Sequence, residues 1–297
     1  MKVTPIAFDS LGTRSMCTLV ETKDTRLLID PGAALGPMRY GLPPHELEWD
    51  RLASHWRQIV ELARSTQVLI VTHYHYDHYN PDDHVEVYGG KIVLVKHPTE
   101  KINNSQKVRA AYFLGQLKKF PPAKLAYCDG CDFTFGRTLI RFSQPVFHGT
   151  SSRLGYVVEV LVDEGGVKFI HSSDVEGPSQ KDQVRFILQN KPDLLILDGP
   201  MSYMAGYRYS FEDLEASVEN MVKIVKVCPL ETLVVDHHML RDLNWRERVE
   251  KVFKVGAERG VKVVTAAEYI GITPDMLEAR RSELYRRDPW RKTCDSP

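Results

Sequence analysis

The segment Thr72-His73-Tyr74-His75-Tyr76-Asp77-His78-Tyr79 packs three of the chain's eleven histidines and an aspartate into six positions. Imidazole and carboxylate in such density suit zinc, iron or manganese. In extended chain alternate side chains point to one side, so His73 and His75 can converge on one ion while Tyr74 faces away. If the chain then turns, Asp77 and His78 can address a second ion beside the first. A solvated loop that is merely rich in histidine is the competing reading. It is opposed by the run Gln67-Val68-Leu69-Ile70-Val71, a nearly continuous apolar strand of the kind buried on both faces, which delivers the cluster at its C-terminal end.

Two ions need more ligands than one loop supplies, so further His and Asp residues are expected at other strand ends. His148 closes PVFH, Asp174 closes KFIHSSD, and His237 and His238 follow TLVVD. Each alone is more often a capping or loop residue than a ligand. Their recurrence at successive strand ends is what points to a shared site.

The elements that must position these residues fall into two regimes. VTPIAF, CTLVET and RLLID open the chain as a meander of strands, the last ending in Asp30-Pro31-Gly32. Residues 46–64 place Leu52, Trp56, Ile59, Val60 and Ala63 at helical spacing. Strands are then expected at 67–71 and 91–95, a helix at about 103–119, and strand pieces in KLAYCD, DFTF and TLIRFS. YVVEVLVDEGG and VKFIHSSD read as a hairpin closed at Glu164-Gly165-Gly166. The rhythm then changes to helix (180–190), strand DLLILD, helix (211–226), strand TLVVD, helix (244–258) and strand VKVVT. Strands first and strand–helix alternation later imply an α/β protein of sheets covered by helices. No linker or repeat divides it, so residues 1–285 are expected to form a single domain and 286–297 a frayed polar tail.

Lys plus Arg and Asp plus Glu number 39 each, so no global field draws the chain to nucleic acid, and any anionic substrate must be held locally. The start carries no signal-peptide pattern and no apolar run reaches the roughly 20 residues of a membrane span, which makes a cytoplasmic protein the expectation. The five cysteines are scattered except for Cys128-Asp-Gly-Cys131. Lacking a second pair or a nearby histidine, that motif reads as a turn between strands.

In this order of residues the sequence resembles the metallo-β-lactamase fold superfamily: Asp30, His73-x-His75-x-Asp77-His78, His148, Asp174 and His237 occur as the superfamily places them. The resemblance covers nearly the whole chain. The phrases SLGTRSMCT, HPTEKINNSQKVRA and HSSDVEGP are similar to those of a mostly archaeal branch of predicted metal-dependent hydrolases, a match that brings no substrate with it. It implies an αββα four-layer sandwich with two divalent ions, Zn2+ foremost and Mn2+ or Fe2+ as alternatives, at one edge between the sheets. It assigns His73, His75 and His148 to the first ion, Asp77, His78 and His237 to the second, and Asp174 as the bridge. Asp30 would lie beneath the histidine loop and fix a ligand's tautomer; as the start of an Asp-Pro-Gly turn it needs no metal.

The chemistry implied is hydrolysis. Two ions roughly 3.5 to 4 Å apart lower the pKa of a bridging water and stabilise charge on the attacked centre. Asp77 is the ligand whose loss should abolish turnover. His238 is the favoured proton donor, ahead of His171 and Tyr203. Lys96, Lys101, Lys107 and Arg109 surround a helix start at residues 103–105, where N–H groups and cations can hold an anion, which favours a phosphodiester substrate; as an ordinary N-cap beside a solvated basic face the same residues need no ligand. A small-molecule ester, lactone or thioester is the alternative substrate. Residues 175–236 leave too little room for the insertion of the superfamily's cleavage-factor nucleases. His75, and the lack of a flavin domain, argue against its diiron flavoproteins, while a mononuclear iron dioxygenase stays open.

Overall fold

The structure, a computed structural model, describes residues 1–287. Its first sheet has six strands in chain order: β1 (Lys2–Phe8), β2 (Met16–Glu21), β3 (Arg26–Ile29), β4 (Val68–Val71), β5 (Ile92–Val95) and β6 (Lys124–Tyr127). β1, β2 and β3 pair antiparallel; β3 to β6 run parallel. The parallel part needs crossovers, supplied in part by helices α1 (Glu46–Arg64) and α2 (Asn104–Leu117).

The second sheet repeats this plan. β7 (Asp132–Phe135), β8 (Thr138–Phe142), β11 (Val160–Glu164) and β12 (Val167–His171) pair antiparallel, and β12, β13 (Leu194–Asp198), β14 (Thr232–Asp236) and β15 (Lys262–Val264) run parallel. A short ribbon of β9 (Val146–Phe147) and β10 (Tyr156–Val157) stands apart. Helices α3 (Lys181–Asn190), α4 (Phe211–Val227), α5 (Trp245–Arg248) and α6 (Glu250–Arg259) follow the parallel strands, and α7 (Ala266–Tyr269) and α8 (Arg281–Arg287) complete the described chain.

Three cores define four layers. Val68 and Ile70 of β4 face Ile196 and Val234 between the sheets, while Leu69 and Val71 meet Ile59 and Ala63 of α1 and Phe113 of α2. In the second sheet Ile196 faces inward, and Leu195 and Leu197 pack against Val184, Ile187 and Met221 of the opposite helical layer. A strand buried on both faces has no polar side to show, which is why VLIV and LLIL read as unbroken apolar runs. The architecture is the expected αββα sandwich.

Three boundaries differ from the expectation, each for a local reason. The strand expected through YVVEV breaks at Val158 and Glu159, because Val158 N–H donates to Thr72 O (3.2 Å) and ties the histidine loop to the second sheet. The helix expected at 244–258 is two, separated at Val249 (φ −116°, ψ 24°). α8 includes Arg286 and Arg287, the first two residues of the expected tail; the rest of that tail, 288–297, lies outside the described residues. The Cys128–Cys131 segment is the expected turn, Cys131 N–H donating to Cys128 O at 2.9 Å, and both thiols are free. Among the described residues no helix is long and apolar enough to cross a membrane.

Candidate metal centre

The C-terminal ends of the parallel strands of both sheets meet at one edge, the usual location for binding sites in such sheets. β3 delivers Asp30, β4 the loop from Thr72 to Tyr79, β12 the segment Ser172 to Asp174, β13 Asp198, and β14 Asp236 to His238. The chain is strained there. Of eight non-glycine residues at positive φ among the described residues, Asp30 (52°), Ser173 (59°), Glu176 (52°) and His237 (62°) belong to this edge.

Three groups of side chains that could hold a cation share one carboxylate among the described residues, the smallest of them Asp174, Asp198 and His238. His73, His75, His148 and Asp174 make the first, and Asp77, His78, Asp174 and His237 the second; within each group one donor atom per residue lies within 4.8 Å of the others. Asp174 Oδ2 is the common point, 2.8 Å from His148 Nε2, 3.4 Å from His78 Nε2, 3.5 Å from His73 Nε2 and 3.7 Å from His237 Nε2. Asp77 Oδ2 reaches His237 Nε2 at 3.8 Å and His78 Nε2 at 4.0 Å. The Nε2 atoms of His73, His78 and His148 are buried without a hydrogen-bond partner among the described residues. Buried polar atoms are nearly always paired, so donors gathered this way fit a cation. The donor set of imidazoles and carboxylates fits a borderline divalent ion.

Each ring of the second group is held from behind. His78 Nδ1–H donates to Asp30 Oδ2 (2.8 Å), and the same carboxylate accepts Thr72 N–H (2.8 Å) and the Thr72 hydroxyl (2.7 Å). Asp30 therefore spends its oxygens on the histidine loop rather than on its own turn. Gly32 in that turn lies so close to the His78–Tyr79 backbone that a Cβ would sit 2.2 Å from Tyr79 N, which accounts for the glycine of Asp-Pro-Gly. His237 Nδ1–H donates to Asp9 Oδ2 (2.7 Å), whose other oxygen accepts Arg241 Nε–H (2.8 Å). Such partners fix which ring nitrogen faces the ion.

The charges follow from burial and neighbours. Burial, reinforced by His78, holds His73 well below the ordinary imidazole value, and burial with His148 brings His75 to about 3. Burial disfavours charge on His78, yet Asp30 and Asp77 hold it well above. Burial opposes ionisation of Asp77 and Asp174, but His78 and His237 beside the one, and His148 and His238 beside the other, keep both carboxyls below the usual range. Burial would raise Asp9, but Arg241 and His237 hold it at about 2.

The structure brings His238 to the cleft wall, outside the two larger groups but in the third, with Asp174 and Asp198. Its Nδ1 lies 3.1 Å from Asp198 Oδ2 and 3.2 Å from Asp174 Oδ1, and its Nε2 faces Glu176 at 3.7 Å. His171, a proton-donor candidate in the sequence, is a strand residue fixed on both sides: Nε2–H donates to Met16 O (2.9 Å) and Nδ1 accepts Ser173 N–H (3.1 Å). Tyr203 lines the cleft, its ring under the Arg39 guanidinium at 4.4 Å. Of the four cations expected around an anion at the start of α2, Lys96 and Arg109 are engaged elsewhere, while Lys101 and Lys107 are exposed. Lys96 is buried against Asp129 (2.6 Å) and the Glu100 carbonyl, Asn103 caps Gln106 N–H, and Arg109 stacks on Tyr76. Tyr74 and Tyr79 are buried beneath the loop, whereas Tyr76 is exposed.

Sequence reasoning missed Asp9, Arg241 and Glu176, and assigned Asp198 no role in the site. Asp9 and Asp198 carried a usable signal, an aspartate at the end of an apolar strand, the same one that exposed Asp174. Arg241 and Glu176 carried none.

Comparison with known proteins adds four findings. The family model described as the metallo-β-lactamase superfamily matches residues 12–80. A UPF0282 protein of Korarchaeum cryptofilum is 53% identical over 289 residues, covering 97% of this chain and 96% of its own. Among solved structures, the metallo-β-lactamase fold protein YhfI from Bacillus subtilis superposes with a TM-score of 0.51 at 17% identity, over 89% of this chain and 95% of that one. A possible metal-dependent hydrolase from Veillonella parvula gives 0.52 at 16% identity, over 85% and 94%. At such identities the two structures speak for the fold.

Proposed function

The chain belongs to the UPF0282 family of the metallo-β-lactamase superfamily, and from that premise we propose that it is a dinuclear metal-dependent hydrolase whose preferred substrate is a phosphodiester. The observation that carries the reading is the pair of ligand groups meeting at Asp174 Oδ2. His73, His75, His148 and Asp174 would hold one divalent ion, and Asp77, His78, His237 and Asp174 the other. Bound ions supply a water of lowered pKa as nucleophile and Lewis-acid stabilisation of the attacked centre, with Zn2+ the first choice for this donor set.

The chain's own residues do the rest. Asp30 and Asp9 keep the Nε2 atoms of His78 and His237 turned to the Asp174 carboxylate, where they would hold an ion. His238, held between Asp198 and the free oxygen of Asp174, orients the shared carboxylate and presents Nε2 toward Glu176, from which a proton can be passed to a leaving group in the cleft. The start of α2 lends the phosphodiester preference no support, and the arginines of the cleft favour an anionic substrate without choosing the bond that is cleaved.

The test is metal content together with turnover of a chromogenic phosphodiester, a lactone and a thioester, with Asp77→Ala as control. Two ions per chain and phosphodiester turnover lost in the variant are expected. Lactone or thioester turnover alone moves the substrate to small esters. A single iron with oxygen consumption overturns the hydrolase reading.

A further inference from the structure

The cleft over the His and Asp groups has a volume of about 460 Å³ and is lined by four arginines, Arg14, Arg153, Arg208 and Arg241. They are not alike. Arg241 is buried and given to Asp9, and Arg14 is forked onto Glu278 by two bonds of 2.6 Å. Arg153 and Arg208 are exposed, and neither has a carboxylate partner among the described residues. Of the three carboxylates that line the cleft, Asp77 and Asp174 are proposed ligands, and Glu176 stands nearest His238 (3.7 Å) and His148 (3.8 Å). Two guanidinium charges thus face the cleft without a carboxylate partner among the described residues, in a chain whose formal charges sum to zero.

Both stand on loops fixed from behind. The Arg153 carbonyl accepts from Asn103 Nδ2 (2.9 Å) and the Leu154 carbonyl from Gln106 Nε2 (2.7 Å), so the start of α2 acts as a clamp on this loop. Gly155 (φ 92°) closes it where a Cβ would lie 2.7 Å from Gln106 Nε2. In the other loop Met204 O accepts from the N–H groups of Tyr207, Arg208 and Tyr209, and the buried Tyr209 hydroxyl pairs with Ser217 Oγ at 2.6 Å. A guanidinium on a fixed loop loses less freedom when it forks onto an oxyanion.

We propose that Arg153 and Arg208 bind an oxyanion, phosphate or carboxylate, that the substrate carries in addition to the bond that is cleaved. The placement of the cleaved bond rests on the hydrolase reading; recognition of the anion does not. A neutral ester or lactone would gain nothing from these two residues. Their loss raises KM for a doubly anionic substrate and leaves a singly anionic one nearly unaffected.

The test is calorimetric binding to the metal-loaded protein, wild type against Arg153→Gln/Arg208→Gln, with ion content and thermal midpoint checked in both. Propane-1,3-diphosphonate and 3-phosphonopropionate present two anions, and propylphosphonate presents one on the same length of chain. The double variant is expected to bind propylphosphonate as wild type does and at least one two-anion probe about tenfold more weakly, the loss of one charge-assisted fork. A loss confined to the diphosphonate assigns the second group as phosphate, and a loss with phosphonopropionate admits carboxylate. Unchanged affinity for both two-anion probes overturns the proposal. Because no turnover is read, a protein that binds anions through these arginines but cleaves no ester refutes only the hydrolase reading, and one that cleaves a phosphodiester while ignoring both substitutions refutes only this one.

Discussion

Replacing Asp9 with Asn separates two things that this buried carboxylate does. Its Oδ2 takes the Nδ1 proton of His237 at 2.7 Å and its Oδ1 takes Nε–H of Arg241 at 2.8 Å, with the Asp9 and Arg241 side chains only 4% and 3% exposed. Loss of the carboxylate behind a ligand histidine weakens metal affinity about 10- to 100-fold, or roughly 1.4 to 2.7 kcal/mol. The effect should fall on one ion only, since Asp9 bonds His237 and none of His73, His75 or His148. The same substitution strands the Arg241 cation, and breaking a buried pair from one side costs about 3 to 5 kcal/mol. Asp9→Asn should therefore lose stability and affinity together, whereas Asp9→Asn/Arg241→Met should recover most of the stability and none of the affinity. Competitive titration with a chelating dye reads the ions, and thermal unfolding in chelator reads the fold. If the single variant keeps both ions at wild-type affinity, His237 is not a ligand oriented by Asp9 and the two-group reading of the site is wrong.

Two further substitutions test the packing that holds the edge. Arg281→Met removes a buried guanidinium that donates twice to Glu48 (2.7 Å each) and to the carbonyls of Leu42 and Gly36, stranding Glu48 at a cost of about 3 to 5 kcal/mol; for a chain of this size the thermal midpoint should fall on the order of 10 °C, and an unchanged midpoint would show the clamp to be idle. Glu159→Gln should stabilise, and more so as pH rises. Both Glu159 oxygens are buried without partners among the described residues, and burial raises its carboxyl well above 4.5. The unfolded chain thus releases its proton first, so wild-type stability drains away as pH climbs past the unfolded value. Midpoints of variant and wild type should meet near pH 4 and diverge by pH 8; a constant gap would refute the assignment.

What could be read from the sequence was whatever repeats locally. VLIV and LLILD announce strands buried on both faces, and the candidate ligands stood out because they sit at strand ends in one order. What escaped was pairing at a distance. Asp9 and His237 are 228 residues apart, and Glu48 and Arg281 are 233 apart, so no spacing rule joins them. Lys96 misled for the converse reason: its neighbours in sequence suggested an anion site, but a partner 33 residues away, Asp129, had already taken its charge. The break at Val158 likewise answers to Thr72, on the other sheet.

That last contact shows why the site belongs to the seam between the sheets. The Thr72 hydroxyl donates to Asp30 and accepts from Ser173 Oγ at 2.6 Å, while its carbonyl takes Val158 N–H, so one residue of β4's loop binds β3, the segment after β12 and the break before β11. The two ligand groups meet across the same seam but are not equally braced. His78 and His237 each rest on a buried carboxylate, whereas His73 Nδ1 has only the Thr72 hydroxyl at 3.4 Å and His148 Nδ1 has Glu176 no nearer than 3.8 Å. A carboxylate behind an imidazole raises its basicity, and Asp77 adds a charged oxygen to the same group. The second group is thus the stronger donor set, and the first the one with freedom to adjust. Ions held by residues of both sheets, as proposed, would favour the folded chain, adding about 2.7 kcal/mol when present at a hundred times their dissociation constant. On that reading metal affinity and the cohesion of the two sheets would be linked, so that a change in one is read in the other.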